Sequence, residues 1–80
     1  MSWLVYILEC SDGSLYTGVT NNIDRRLKQH NEGKGAKYTR VRRPLVLRFT
    51  EDIGDKSLAH KREYQIKQLT RKQKLNLINQ

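Results

Sequence analysis

Arg26 and His30 lie four residues apart in NNIDRRLKQHN, and the apolar residues of that stretch, Ile23 and Leu27, share the same spacing. On a helix, side chains at i and i+4 stand one above the other, so Ile23 and Leu27 define the buried stripe. Arg26 and His30 then flank it together and face a sheet edge. A histidine near a helix C-terminus can simply serve the helix dipole, but beside an arginine it is a candidate for proton transfer. Glu63 breaks a second apolar stripe, four residues after Ala59 and three before Ile66, with Leu69 beyond. A carboxylate among apolar neighbours is costly unless a cation or donors satisfy it. Two partners answer that need: Arg26 or Arg62 in a structural ion pair, or a divalent metal ion, because a lone carboxylate beside phosphate is a usual way of holding Mg²⁺.

Tyr6 and Tyr16 sit in two apolar runs, WLVYILEC and SLYTGVT, joined by Ser11-Asp12-Gly13. Whether they share a site depends on hairpin register. A two-residue turn at Asp12-Gly13 pairs Ser11 with Ser14 and sends the tyrosines to opposite faces. A three-residue loop with Gly13 left-handed pairs Cys10 with Ser14, puts Tyr6 opposite Gly18 and Tyr16 opposite Leu8, and leaves the two tyrosines roughly 7–8 Å apart on one face. Gly18 then opens a gap beside Tyr6, as a strand glycine does where a ligand or side chain approaches closely. Strand tyrosines often only fill a core; two phenols on one face beside a glycine point to chemistry.

The elements that position these residues follow from pattern. WLVYILEC (3–10) is apolar on both alternating faces up to Glu9, as a central strand covered on both sides should be, and 14–20 is its partner. Asn21 or Asn22 caps a helix that stops near Gly33, and the basic loop GKGAKYTRVRR follows, with a helical turn around Tyr38. Pro44 opens a third strand, LVLRFTE, with Leu45, Leu47 and Phe49 expected on one face. A second helix starts near Asp55 or Ser57 and runs to about Leu69, and the Thr70/Gln73 capping box starts a last helix over roughly 71–78. The order β-β-α-β-α-α predicts an α+β fold, a three-stranded antiparallel β-sheet flanked by helices.

Eighty residues with 36% hydrophobic content support one small domain over 1–80, and a single cysteine, Cys10, allows no internal disulfide. Packing must hold this chain, and a reducing, cytoplasmic setting suits it. The opening apolar run lacks a preceding basic residue and is too short to span a bilayer, so neither a signal peptide nor a membrane is expected. The net charge of +8 is segregated: residues 1–24 hold no Lys or Arg, whereas 25–48 hold nine against one acid, Glu32. Such a balance predicts a polyanionic partner, nucleic acid rather than a membrane surface. Lys34, Lys37, Arg40, Arg42 and Arg43 are the expected phosphate contacts, with Tyr38 placed to stack on a base or sugar.

These residues resemble the GIY-YIG nuclease domain, especially its small stand-alone bacterial members. Leu4-Val5-Tyr6 corresponds to the first motif and Tyr16-Thr17-Gly18 to the second, and the stretches NNIDRRLKQHNEGKGAKYTR and SLAHKREYQIK follow in the family's order. Leu4, Val5 and Thr17 replace the motif's Gly, Ile and Ile at backbone or packing positions. The resemblance implies a metal-dependent endonuclease acting on DNA, in repair or recombination. It makes Tyr6, Tyr16, Arg26 and His30 catalytic and Glu63 the ligand of Mg²⁺ or Mn²⁺, with Asn76 as an additional polar site residue. It also implies a monomer whose specificity a protein partner could supply. A tyrosine base is weak at its ordinary pKa near 10, so Arg26 or the metal would have to lower it. A nucleic-acid-binding module without catalysis, and an interaction domain in which these polar groups form a buried network, are the rival readings.

Overall fold

The computed structural model describes residues 2–80. Strands β1 (Trp3–Glu9), β2 (Leu15–Thr20) and β3 (Val46–Gly54) form one antiparallel sheet in the order β2-β1-β3. Helix α1 (Ile23–Asn31) and the single turn α2 (Lys37–Arg40) lie between β2 and β3, and α3 (Lys56–Lys67) and α4 (Arg71–Ile78) follow. This is the α+β architecture that the residue pattern predicts, with the helical turn at Tyr38 present.

Four consecutive residues of β1, Val5 to Leu8, are fully buried, as a central strand covered on both faces requires. Side chains alternate across a strand, so the two faces receive different partners. Val5 and Ile7 pack with Ala59 and Ile66 of α3, flanked by Phe49, Leu69 and Leu77. Tyr6, Leu8 and Cys10 pack with Leu45, flanked by Tyr16 and by Ile23 and Leu27 of α1.

The hairpin takes the three-residue loop. Tyr6 pairs with Gly18 and Leu8 with Tyr16, the Cys10 amide donates to the Ser14 carbonyl at 2.8 Å, and Gly13 has φ 84°. Both tyrosines are therefore on the α1 side of the sheet. Asp12 stabilises the turn by accepting from the Ser14 amide at 3.0 Å, an Asx-type bond.

The third strand departs from its predicted pattern. Ile7 pairs with Phe49 but Leu8 pairs with Leu47, so the register shifts by one residue at Arg48. An extra residue in one strand reverses the faces beyond it. Leu47 consequently joins Leu45 on the Tyr6 side while Phe49 packs with Ile7 on the other. The start of this strand is tied to α1, because the Asn31 side chain accepts from the Leu45 amide at 2.8 Å and donates to its carbonyl at 3.2 Å. Asn22 and Asp55 cap α1 and α3, and Thr70 with Gln73 closes the capping box on α4. Among the described residues no helix is long and apolar enough to cross a membrane.

Candidate functional site

Tyr6 projects from β1 across Gly18 of β2. A Cβ on Gly18 would lie 2.6 Å from Tyr6 Cζ, so only glycine lets the ring cross there. The Tyr6 hydroxyl meets His30 Nε2 at 2.9 Å, and His30 Nδ1 meets Thr39 Oγ1 at 2.7 Å. His30 and Thr39 are both 0% exposed. Gly35 performs for His30 the service that Gly18 performs for Tyr6, since a Cβ there would lie 2.7 Å from the imidazole Cε1. Tyr16 stands edge-on to the same imidazole, 5.4 Å between ring centroids, and is partly exposed. The Tyr16 ring in turn lies 6.1 Å from Tyr38 at an interplanar angle of 22°.

Arg26 is one helical turn before His30 and bonds Gln29 Oε1 at 3.2 Å. Its guanidinium acts on both buried groups. Burial first, and then Arg26, lower the His30 pKa to about 4, so the imidazole is neutral near pH 7. Burial raises the Tyr6 pKa; Arg26 opposes it, and the charges of Tyr16 and Glu63 add to it. The sequence reading required positive charge to lower this phenol. Arg26 does act in that direction, but desolvation outweighs it in the free protein. Moving the Tyr6 proton to His30 is therefore uphill in the resting site.

Glu63 reaches the site from α3, and its carboxylate is felt at the Tyr6 phenol. Its side chain is 17% exposed and pairs with Lys67 Nζ and His60 Nδ1, both at 3.4 Å. Neither Arg26 nor Arg62 is its partner, because Arg62 instead bonds Glu51 at 2.7 Å. Among the described residues there is no group of three or more His, Cys, Asp or Glu able to hold a metal ion. One carboxylate cannot cage a cation, but it fits a hydrated Mg²⁺ or Mn²⁺ that takes its remaining oxygens from water and a phosphate. Glu63 would supply that single ligand, and its two partners, His60 and Lys67, are each about half exposed.

The basic segment is less free than its composition predicts. Lys34, Lys37, Arg40 and Arg43 are exposed, but Arg42 is half-buried and braced. Its Nε donates to Asp12 at 3.1 Å, its Nη1 to the Tyr38 carbonyl at 2.8 Å, and its guanidinium lies 3.8 Å from the Tyr38 ring centre. Tyr38, 41% exposed, is thus already engaged by Tyr16 and Arg42. Arg43 donates to the Arg40 and Asn31 carbonyls at 3.0 and 3.4 Å, and with Arg40, Asn31, Val41 and Pro44 it lines a shallow depression of about 640 Å³. Asn76 is exposed on α4, whose Leu77 and Ile78 pack on the sheet face opposite Tyr6. Thr39 joins the site without having been singled out in the sequence, and Gly35, expected only as a small residue of the basic loop, joins it against His30. Their role depends on how the loop after α1 folds back, and no residue spacing encodes that.

Comparison with known proteins places this geometry in context. The GIY-YIG catalytic domain profile matches residues 2–76. A UPF0213 protein of Staphylococcus haemolyticus is 54% identical over 76 residues, spanning 95% of this chain and 93% of the relative. A UPF0213 protein of Halobacterium salinarum is 59% identical over 70 residues, spanning 88% and 91%. The solution NMR structure of a UPF0213 protein from Bacillus halodurans superposes with a TM-score of 0.63 at 51% identity, covering 99% of this chain and 84% of that one.

Proposed function

Because this chain belongs to the GIY-YIG family, a family built on a nuclease domain, we propose that it is a metal-dependent endonuclease that hydrolyses DNA phosphodiester bonds in repair or recombination. The observation that carries this reading is the convergence on one buried phenol. Tyr6 is hydrogen-bonded to His30, and the charges of Arg26 from α1 and Glu63 from α3 both act on it.

Hydrolysis needs a deprotonated water, charge stabilisation on the pentacoordinate phosphate and help for the leaving oxygen. Tyr6 orients the water and takes its proton while passing its own to His30 Nε2, 2.9 Å away. Because burial raises the phenol's pKa and lowers the imidazole's, that transfer is uphill at rest, and the relay accompanies attack. Arg26 neutralises charge developing on the phosphoryl oxygens. Tyr16, partly exposed beside the imidazole, is the phenol that substrate meets first and steadies it by hydrogen bonding. Glu63 would hold Mg²⁺ or Mn²⁺, which when bound supplies Lewis-acid stabilisation of the leaving oxygen. Lys34, Lys37 and Arg40 contact phosphates, Arg42 and Arg43 shape the segment that presents them, and Tyr38 receives a base only by giving up Arg42. The single buried Cys10 suits a cytoplasmic setting.

The resting phenol's raised pKa favours one second reading, a binding module of the same fold that does no chemistry. Purified protein incubated with plasmid and branched DNA plus Mg²⁺ or Mn²⁺ separates the two. Metal-dependent nicking, lowered roughly 100-fold or more in Glu63→Ala and Arg26→Ala, supports the nuclease. Salt-sensitive DNA binding without turnover selects the module.

A further inference from the structure

The hydrogen-bond chain behind Tyr6 has a fixed end, and that end sets its direction. The Ala36 carbonyl oxygen, 2.9 Å from the Thr39 hydroxyl, only accepts, so both contacts of that hydroxyl are hydrogen bonds only when it donates its single proton there. Thr39 Oγ1 can then only accept from His30 Nδ1 at 2.7 Å. Nδ1 therefore carries the imidazole proton. His30 is neutral, so Nε2 is left as a bare lone pair, and the Tyr6 hydroxyl 2.9 Å from it must be the donor.

We propose that Thr39 is a positioning residue: it holds His30 in the Nδ1–H tautomer and thereby aims the Tyr6 proton at Nε2, leaving the phenol oxygen's lone pairs to face the Arg26 side of the site. The opposite tautomer would make Nε2 a donor to Tyr6, and His30 could then accept nothing from it. Local structure around Thr39 serves this arrangement. The single turn α2 folds Thr39 back to 0% exposure from within an otherwise exposed basic segment. Its first-turn carbonyl, on Ala36, is also fixed by the amides of Thr39 and Arg40 at 3.1 and 3.2 Å. Gly35 lets the imidazole lie against the backbone. Should the ring take up the Tyr6 proton, Thr39 still accepts from Nδ1, so the same contact suits both protonation states. The catalytic consequence rests on the nuclease reading; the tautomer does not.

The test is a two-bond ¹H–¹⁵N correlation spectrum of the histidine rings in the full chain at neutral pH, for wild type, Thr39→Ser and Thr39→Val, beside plasmid nicking with Mg²⁺. Wild type and Thr39→Ser should show a protonated Nδ1 and a lone-pair Nε2 for His30. Thr39→Val should lose that population, with turnover falling roughly 10–100-fold at unchanged DNA affinity and Thr39→Ser restoring most of it. A wild-type spectrum with the proton on Nε2 overturns the proposal even if the valine variant does not fold, and so does a folded Thr39→Val that keeps the wild-type tautomer. An Nδ1–H wild type that cuts no DNA would defeat the nuclease reading while supporting the tautomer.

Discussion

Val5 and Ile7 on one face of β1, and Tyr6 on the other, are almost equally inaccessible to water, yet they are held by opposite kinds of interaction. On the α3 side the contacts are aliphatic: Val5 and Ile7 against Ala59 and Ile66, with Trp3, Phe49 and Leu77 around them. On the α1 side an aliphatic rim of Leu4, Leu8, Leu27 and Leu45 encloses a polar chain running from Tyr6 through His30 to Thr39. An aliphatic face tolerates changes of shape at constant volume, whereas a buried polar chain tolerates the loss of no single member. Successive residues of one strand thus divide the labour, one face fixing the fold and the other fixing proton positions. The division is incomplete at one place, Glu63, where the helix that covers the aliphatic face contributes a charge felt by Tyr6.

The largest expected effect tests the aliphatic face. Ile66 is 0% exposed, so Ile66→Ala should cost about 3–4 kcal/mol in urea unfolding, through lost transfer energy and the cavity left behind. The His30 tautomer should be unchanged in whatever folded protein remains. A cost below about 1 kcal/mol would mean that this face does not carry the fold.

The polar face should instead reveal itself through pH. His30 has a pKa near 6.5 when unfolded and about 4 when folded, so between these values the unfolded chain binds the extra proton. Stability from the neutral, buried imidazole is complete above pH 6.5 and is lost as pH falls toward 4, by about 3 kcal/mol in all. Asp12, whose pKa is lowered by its bonds to Ser14, contributes only below that window. Urea midpoints of wild type and His30→Gln across pH 4–7 check this, and a wild-type curve as flat as the variant's would remove the contrast between the faces.

Tyr6→Phe keeps the ring over Gly18 but takes away the donor to His30 Nε2. The buried lone pair is then unsatisfied, a penalty of about 2 kcal/mol. If the variant is as stable as wild type, the polar face behaves as a second apolar core, and the interaction-domain reading fails with it.

Much of this contrast is legible in residue pattern, and the parts that are not share a physical reason. The continuous apolar run of β1 marks the central strand, and Glu63 stands out as a carboxylate on an apolar stripe, but the residues leave two hairpin registers open and only the three-residue loop ending at Gly13, which the structure adopts, puts both tyrosines on one face. Phe49 does not share the face of Leu45 and Leu47 that alternation predicts, because a one-residue shift at Arg48 is decided between strands and no periodicity within β3 announces it. Thr39 was passed over because its meaning comes from a loop that folds back onto His30. Arg42 read as a phosphate contact because Asp12, thirty residues earlier, is its partner only in three dimensions.

The smallest effect concerns that last pair, and it separates stability from organisation. Arg42 and Asp12 form a surface ion pair at 3.1 Å, which should add little to stability and less at high salt. Asp12→Asn should therefore leave the urea midpoint nearly unchanged. Its consequence lies elsewhere, since Asp12 anchors the guanidinium that lies on Tyr38, and Tyr38 stacks toward Tyr16 beside His30. Freed from Asp12, Arg42 becomes available to phosphate and Tyr38 to a base. DNA affinity measured by titration at low salt should rise about two- to fivefold in Asp12→Asn, with a steeper salt dependence from the added cation. Unchanged affinity and slope would mean that Arg42 is spent wholly on the hairpin, leaving Lys34, Lys37 and Arg40 as the segment's exposed contacts.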